Sequence, residues 1–174
     1  PQFLFRWLQY LLLLRRLPHD YDIEVYGINA QKLEELLKKF GPVDVVGKSF
    51  GIFKLQLGDA TIDVALPRTE KKTGEGHRGF AVQTAPLLTP QKALARRDFT
   101  INAMAWDLLT QELIDPFGGQ GDLKKKILRA THPQHFGEDP LRAIRALQLI
   151  ARFGLRPTTE TAQIIHTLRV HLHE

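Results

Sequence analysis

The chain has 174 residues, 43% hydrophobic and 25% charged, enough apolar material for one cored domain or one domain with part of another. Its net charge of +5 and pI of about 9.6 suit a polyanionic partner such as nucleic acid or nucleotide. The absence of cysteine excludes disulfides and thiolate metal sites and fits a reducing, cytoplasmic setting, and the longest apolar run, residues 11–14, is far too short to cross a bilayer.

Residues 1–17 read as a helix or helix pair, with Phe3, Leu4, Trp7, Leu8 and Leu11 at helical spacing. Arg6, Arg15 and Arg16 bracket the apolar run and no small-residue cleavage site follows, which argues against a signal peptide. The stretch Asp20-Tyr21-Asp22-Ile23-Glu24-Val25 then alternates with the period of a strand. Asp20 and Asp22 therefore project side by side, while Tyr21, Ile23 and Val25 face a core. Adjacent carboxylates repel unless a cation sits between them, and hard oxygens on a rigid strand are what Mg²⁺ takes, a substrate phosphate completing its shell. The plain alternative is a solvated strand end.

Asn29 suits the cap of a helix whose apolar face is Leu33, Leu36, Leu37 and Phe40, with Lys38 and Lys39 in its last turn and Gly41 at the C′ position before Pro42. Residues 43–46 form a short strand, residues 47–51 a turn, and residues 52–57 and 61–66 a hairpin closed by Gly58-Asp59. In its second strand Ile62, Val64 and Leu66 face the core and Asp63 lies on the other face with Thr61 and Ala65. If that strand neighbours the first, about 4.8 Å separates them and Asp63 joins Asp20 and Asp22. Three carboxylates can hold two Mg²⁺ ions for in-line phosphoryl displacement; a lone polar residue on a half-exposed strand is an even alternative.

Residues 67–80, rich in Pro, Gly and charge, read as a mobile loop, either a solvated connector or a basic flap for triphosphate or RNA. Thr89 caps a helix that opens with Pro90 and leads into Arg96-Arg97-Asp98-Phe99-Thr100-Ile101-Asn102-Ala103. Two guanidinium forks beside a carboxylate can clamp phosphates and accept from a ribose hydroxyl, although Arg-Arg-Asp is more often a surface ion-pair cluster. After a turn at Thr110-Gln111 comes Asp115-Pro116-Phe117-Gly118-Gly119, a flexible glycine corner, and Asp122-Leu123 begins a short helix. Residues 124–126 read as a solvated lysine face, with phosphate contact as the lesser alternative. Asp139 and Pro140 open a strong helix with a buried stripe of Leu141, Ile144, Leu147, Ile150 and Ala151, leaving Arg142 and Arg145 outside it. Gly154 ends it. Thr158 starts another helix, with Ala162, Ile165, Leu168 and Leu172 inward, and His171 and His173 read as surface residues.

In this order the motifs resemble the head domain of class II (bacterial-type) tRNA nucleotidyltransferases, the CCA-adding enzymes, and the related bacterial poly(A) polymerases. The resemblance runs from about residue 13 to residue 154. It implies an α+β fold: a polymerase β-like nucleotidyltransferase head, a small mixed or antiparallel sheet with flanking helices, over residues 1–128, and the start of a helical neck over 129–174. It implies metal binding at Asp20 and Asp22, with Asp63 as a third catalytic acid, and Mg²⁺ as cofactor. Arg96, Arg97, Asp98 and Asn102 are similar to the ribose-recognition motif. Residues 115–119 with Asp122-Leu123 are similar to the hinge between head and neck. Glu138-Asp139-Pro140-Leu141-Arg142 resembles the amino-acid template, in which Asp139 and Arg142 pair with the base edge, and Arg145 joins the nucleotide-binding set. An Asp accepts from an exocyclic amine and an Arg donates to ring acceptors; three residues apart on one helical turn, both reach one base.

The implied activity is transfer of CMP and AMP from CTP and ATP to a tRNA 3′ end. A poly(A) polymerase or a CC- or A-adding enzyme is the alternative within the class. The family's Gly-Gly-x-Val-Arg-Asp phosphate element is replaced here by Arg6-Trp7-Leu8-Gln9-Tyr10-Leu11, with Arg15 where a further glycine is expected. A truncated homologue that binds nucleotide or RNA without turnover is therefore the second reading.

Overall fold

A computed structural model describes residues 2–5, 21–47, 51–74 and 80–168. Its elements are β1 (Gln2–Phe5), β2 (Tyr21–Tyr26), α1 (Ala30–Leu37), β3 (Val43–Gly47), β4 (Ile52–Leu57), β5 (Ala60–Ala65), β6 (Arg68–Lys72), β7 (Phe80–Thr84), α2 (Pro90–Ala95), a 3-10 turn (Thr100–Asn102), β8 (Ala105–Asp107), β9 (Leu113–Ile114), α3 (Gly119–Lys124), β10 (Ile127–Leu128), α4 (Pro133–Phe136), α5 (Leu141–Phe153), β11 (Arg156–Pro157) and α6 (Thr159–Leu168). They fall into two units. This is the α+β arrangement of a small mixed sheet with flanking helices that the sequence implies.

The first unit comprises Pro1–Glu70, Val82–Ala93 and Ala105–Ile114. It is built on a seven-stranded sheet of order β3-β4-β5-β2-β1-β8-β9. Among the neighbouring strands β2 and β5 alone run parallel. Val25, Leu33, Leu37, Phe53, Leu55, Val64 and Leu66 form the core between α1 and one sheet face, joined by Ile23, Val43, Val45 and Ile62. Asn29 caps α1, its side chain accepting from Lys32 N at 2.9 Å. On the opposite sheet face Glu24 is buried, and its Oε2 accepts from the Tyr26 hydroxyl at 2.6 Å.

Four expectations are corrected. Residues 2–5 are strand rather than helix: β1 lies between β2 and β8 and pairs antiparallel with both, and those ladders outweigh the local helical spacing. Residues 6–17 of the expected helix lie outside the described residues. Gly41 is not a left-handed helix terminus. The helix ends at Leu37 with Lys38 right-handed, and a Cβ on Gly41 would stand 2.3 Å from the Gln56 carbonyl oxygen, so the glycine serves close approach of β3 to β4. Phe40, assigned to the apolar face, is exposed because the helix has already ended. The expected loop at 67–80 contains β6, which pairs with β7 in a two-stranded sheet; the polar Arg68–Lys72 sequence lacks the apolar alternation that marks a half-buried strand.

The second unit comprises Lys71–Ala81, Leu94–Met104 and Asp115–Glu174. Phe99 and Phe136 meet edge to face at 5.3 Å, both fully buried. Thr158 caps α6 by accepting from Thr161 N at 3.2 Å. Its inward residues are Thr161 and Leu168, whereas Ala162 is exposed, because Thr161 Oγ1 accepts from Ala130 N at 3.0 Å and turns that position inward. The stripe expected on α5 is likewise corrected: Leu141, Ile144 and Leu147 are exposed, and Ala143 and Ala146 are the buried residues. The alanines allow close approach, and hydrogen bonding by the flanking arginines decides the rotation of the helix.

The corner at 115–119 is held rather than loose. The Asp115 carboxylate accepts from Gly119 N at 2.7 Å and Gln120 N at 2.9 Å, so α3 begins at Gly119, three residues before the expected start. Gly118 is left-handed, with φ of 72°. A Cβ on Gly119 would fall 2.2 Å from the Thr100 carbonyl oxygen, whereas one on Gly121 would meet nothing within 4 Å. Substitutions two residues apart therefore have opposite signs. Gly119→Ala is expected to destabilise by about 1–3 kcal/mol and Gly121→Ala to stabilise by about 0.5–1 kcal/mol in urea unfolding.

Candidate active site

In the first unit the parallel register sets Asp22 of β2 opposite Asp63 of β5. The alternation that buries Ile23, Val25 and Val64 on the α1 side puts both carboxylates on the other face. On the far side of β5, Lys54 of β4 stands opposite Asp63, its Nζ 3.6 Å from Oδ1, with the two side chains 47% and 44% exposed. Asp20 lies outside the described residues. Among the described residues no group of three or more His, Cys, Asp or Glu side chains is close enough to hold a metal. Two partly exposed carboxylates on adjacent strands nonetheless fit a hard divalent cation whose shell is completed by water or phosphate oxygens. Asp63 Oδ1 is covered and accepts no hydrogen bond among the described residues; the group facing it is the Lys54 ammonium.

In the second unit the Arg96-Arg97-Asp98 segment and α5 are brought together. Asp98 is buried. Its Oδ1 accepts from Phe99 N and Asn102 Nδ2, both at 2.9 Å, and its Oδ2 lies 3.0 Å from Arg145 Nη2 without hydrogen-bond alignment. One helical turn earlier, Arg142 donates from Nη1 to the His135 carbonyl at 3.1 Å and from Nη2 to the Arg96 carbonyl at 3.3 Å, its guanidinium 5.9 Å from the Phe136 ring centre. Asp139 Oδ1 accepts from Leu141 N at 3.0 Å at the start of α5, where Pro140 rather than Asp139 takes the cap position. Arg96 and Arg97 are half-buried. The expected ribose acceptor Asp98 thus has Oδ1 engaged by the protein, while Oδ2 accepts no hydrogen bond among the described residues. Asn102 Oδ1 beside it is also buried and without a hydrogen-bond partner among the described residues.

Sequence reasoning missed a second buried acid. Asp122 accepts Thr100 Oγ1 at 2.8 Å and is gripped by Arg129 through Nε at 3.0 Å and Nη2 at 3.2 Å. The hydrogen bond to Asp122 raises the Arg129 pKa above its ordinary value, against the opposing cost of burial. The signal was present as an acid in the first turn of a short helix followed seven residues later by an arginine. Lys54 was missed too, although the hairpin closed by Gly58 sets it against Asp63.

Residues 11–129 match the family described as the Poly A polymerase head domain. The chain belongs to this family. It is 43% identical over 148 residues to the Multifunctional CCA protein of Xylella fastidiosa strain 9a5c, covering 82% of this chain and 33% of that protein. A solved CCA-adding enzyme complexed with ATP is 33% identical, with a TM-score of 0.77 over 98% of this chain and 38% of its own. The Thermotoga maritima CCA-adding enzyme complexed with tRNA_CCA gives 33% identity and a TM-score of 0.75, again over 98% and 38%. The chain therefore spans about a third of the length of the curated relatives it matches. No helix among the described residues is long and apolar enough to cross a membrane.

The head-domain motif at 96–98 and α5 are held together by Asp98 and Arg145. A double-mutant cycle of Asp98→Asn and Arg145→Ala in urea unfolding is expected to give a coupling of about 0.5–2 kcal/mol. A coupling of zero would show the two side chains to be independent.

Proposed function

We propose that this chain is the nucleotidyltransferase head of a tRNA CCA-adding enzyme. It transfers CMP and AMP from CTP and ATP to a tRNA 3′ end, in the cytoplasm where both substrates reside. The observation that carries the reading is the register of Asp22 against Asp63 in a chain of this family. The terminal hydroxyl of the tRNA attacks the α-phosphorus, the bond from that phosphorus to the bridging oxygen breaks, and pyrophosphate leaves. Mg²⁺, held by Asp22, Asp63 and Asp20, would lower the pKa of the attacking hydroxyl and neutralise charge on the leaving pyrophosphate.

The other residues bind and orient. Arg96 and Arg97 face phosphate. Asn102, its amide nitrogen fixed by Asp98, offers Oδ1 to a ribose hydroxyl. Asp139 and Arg142, one turn apart at the start of α5, read the base edge. Arg142 keeps two N–H groups on carbonyls and has others to give, so its plane is set before the base arrives. Arg145 acts through Asp98.

The test supplies the chain with Mg²⁺, tRNA lacking its 3′ terminus and labelled CTP or ATP. Incorporation of two C residues and one A is expected, and Asp22→Asn and Asp63→Asn are each expected to lower it by about a thousandfold. A homopolymeric A tail would shift the reading to the poly(A) polymerases. Nucleotide binding without incorporation would overturn catalysis and leave a binding protein.

A further inference from the structure

The two acids of the candidate site belong to a longer row. Asp22 faces Asp63 across β2 and β5, Lys54 faces Asp63 across β5 and β4, and Asp44 faces Lys54 across β4 and β3. Cross-strand partners share a face, so the order Asp22, Asp63, Lys54, Asp44 runs across four adjacent strands in steps of about 4.8 Å. The row holds three carboxylates and one ammonium. Lys54 touches Asp63 at 3.6 Å, and Asp44, on the outermost strand, is exposed on its other side. A lysine has three donors on a flexible four-carbon stem, which reaches either neighbour without moving the backbone.

We propose that Lys54 is the resident counter-ion of Asp63: it holds Asp63 while no divalent cation is bound and passes to Asp44 when one enters. The inference rests on the metal-binding reading above. A divalent ion on Asp22 and Asp63 repels an ammonium lying 3.6 Å from one of its ligand oxygens, and Asp44 supplies the place to which the ammonium is driven. Lys54 thus lowers metal affinity, and Asp44 offsets that loss.

The test is Mn²⁺ binding to the full chain, followed by the electron paramagnetic resonance signal of the free ion at physiological ionic strength. A Debye length of about 8 Å there screens the direct field of Asp44 at the metal. Lys54→Met is expected to tighten binding by about two- to five-fold, the span open to an exposed ion pair. Lys54→Gln is expected to act in the same direction, and circular dichroism checks that both variants fold. Asp44→Asn is expected to weaken binding by about two-fold with Lys54 present and to do nothing in the Lys54→Met background. Unchanged or weaker binding in both Lys54 variants overturns the proposal, as does an Asp44→Asn effect of equal size in both backgrounds. Asp22→Asn separates the two levels. If it leaves Mn²⁺ binding intact, the metal-site reading fails and takes the proposal with it. If it abolishes binding while the Lys54 variants change nothing, only the counter-ion role is lost.

Discussion

Parallel pairing of β2 with β5 determines which carboxylates meet. The side-chain period of a strand is two, so a slip of one residue in that register would set Asp22 beside a core residue and bury it among Leu33, Leu37 and Phe53. The slip is opposed by the core: a one-residue shift of β2 would take Ile23 and Val25 out of it, and a shift of β5 would take out Ile62 and Val64. The hydrophobic core of the first unit is therefore also what positions its acids, with no dedicated scaffold needed.

In the second unit polar satisfaction overrides apolar patterning. The α5 sequence has a clear leucine and isoleucine stripe, yet the helix turns its alanines inward and leaves Leu141, Ile144 and Leu147 exposed. The alternative rotation would strand the Asp98 carboxylate and the carbonyls of Arg96 and His135 without the guanidinium groups that serve them. A buried carboxylate without a partner costs more than a few half-covered methyl groups recover. Arg142 and Arg145 follow Ala143 and Ala146 around the helix and reach the 96–98 segment because of that rotation.

What the sequence revealed, and what it hid, follows the same division. The Gly58-Asp59 turn fixed the β4–β5 hairpin, and Asn29, Thr89, Asp139 and Thr158 marked helix starts, because turns and caps are local chemistry. From the hairpin the face of Asp63 followed at once. The β1 strand was hidden, since its pairing with β2 and β8 is a long-range event that a helix-spaced run of large residues does not announce. The rotation of α5 was hidden because its inward partners lie more than forty residues away, at Arg96 and Asp98. Gly41 and Gly119 were read as flexible or left-handed, whereas their places are set by a carbonyl that a Cβ would strike. The register of Asp22 with Asp63 was legible only as a conditional: the strands and faces could be read, their adjacency could not.

Exposure then decides which acid is open to an outside cation. Asp98 and Asp122 are 2% and 9% exposed, and each faces an arginine about half exposed, at 53% for Arg145 and 47% for Arg129. Their oxygens have been withdrawn from water, so exchanging the arginine for a hydrated ion would uncover a buried charge during the exchange. Asp63 and Lys54 are 44% and 47% exposed, although the Oδ1 that faces the ammonium is itself covered. An ion pair of this kind is weak and exchanges at little cost. The same pairing of acid with base therefore has two outcomes. Where the acid is buried it is a fixed pin that sets the geometry of an arginine; where the acid is half in water it is a site from which a cation can be replaced.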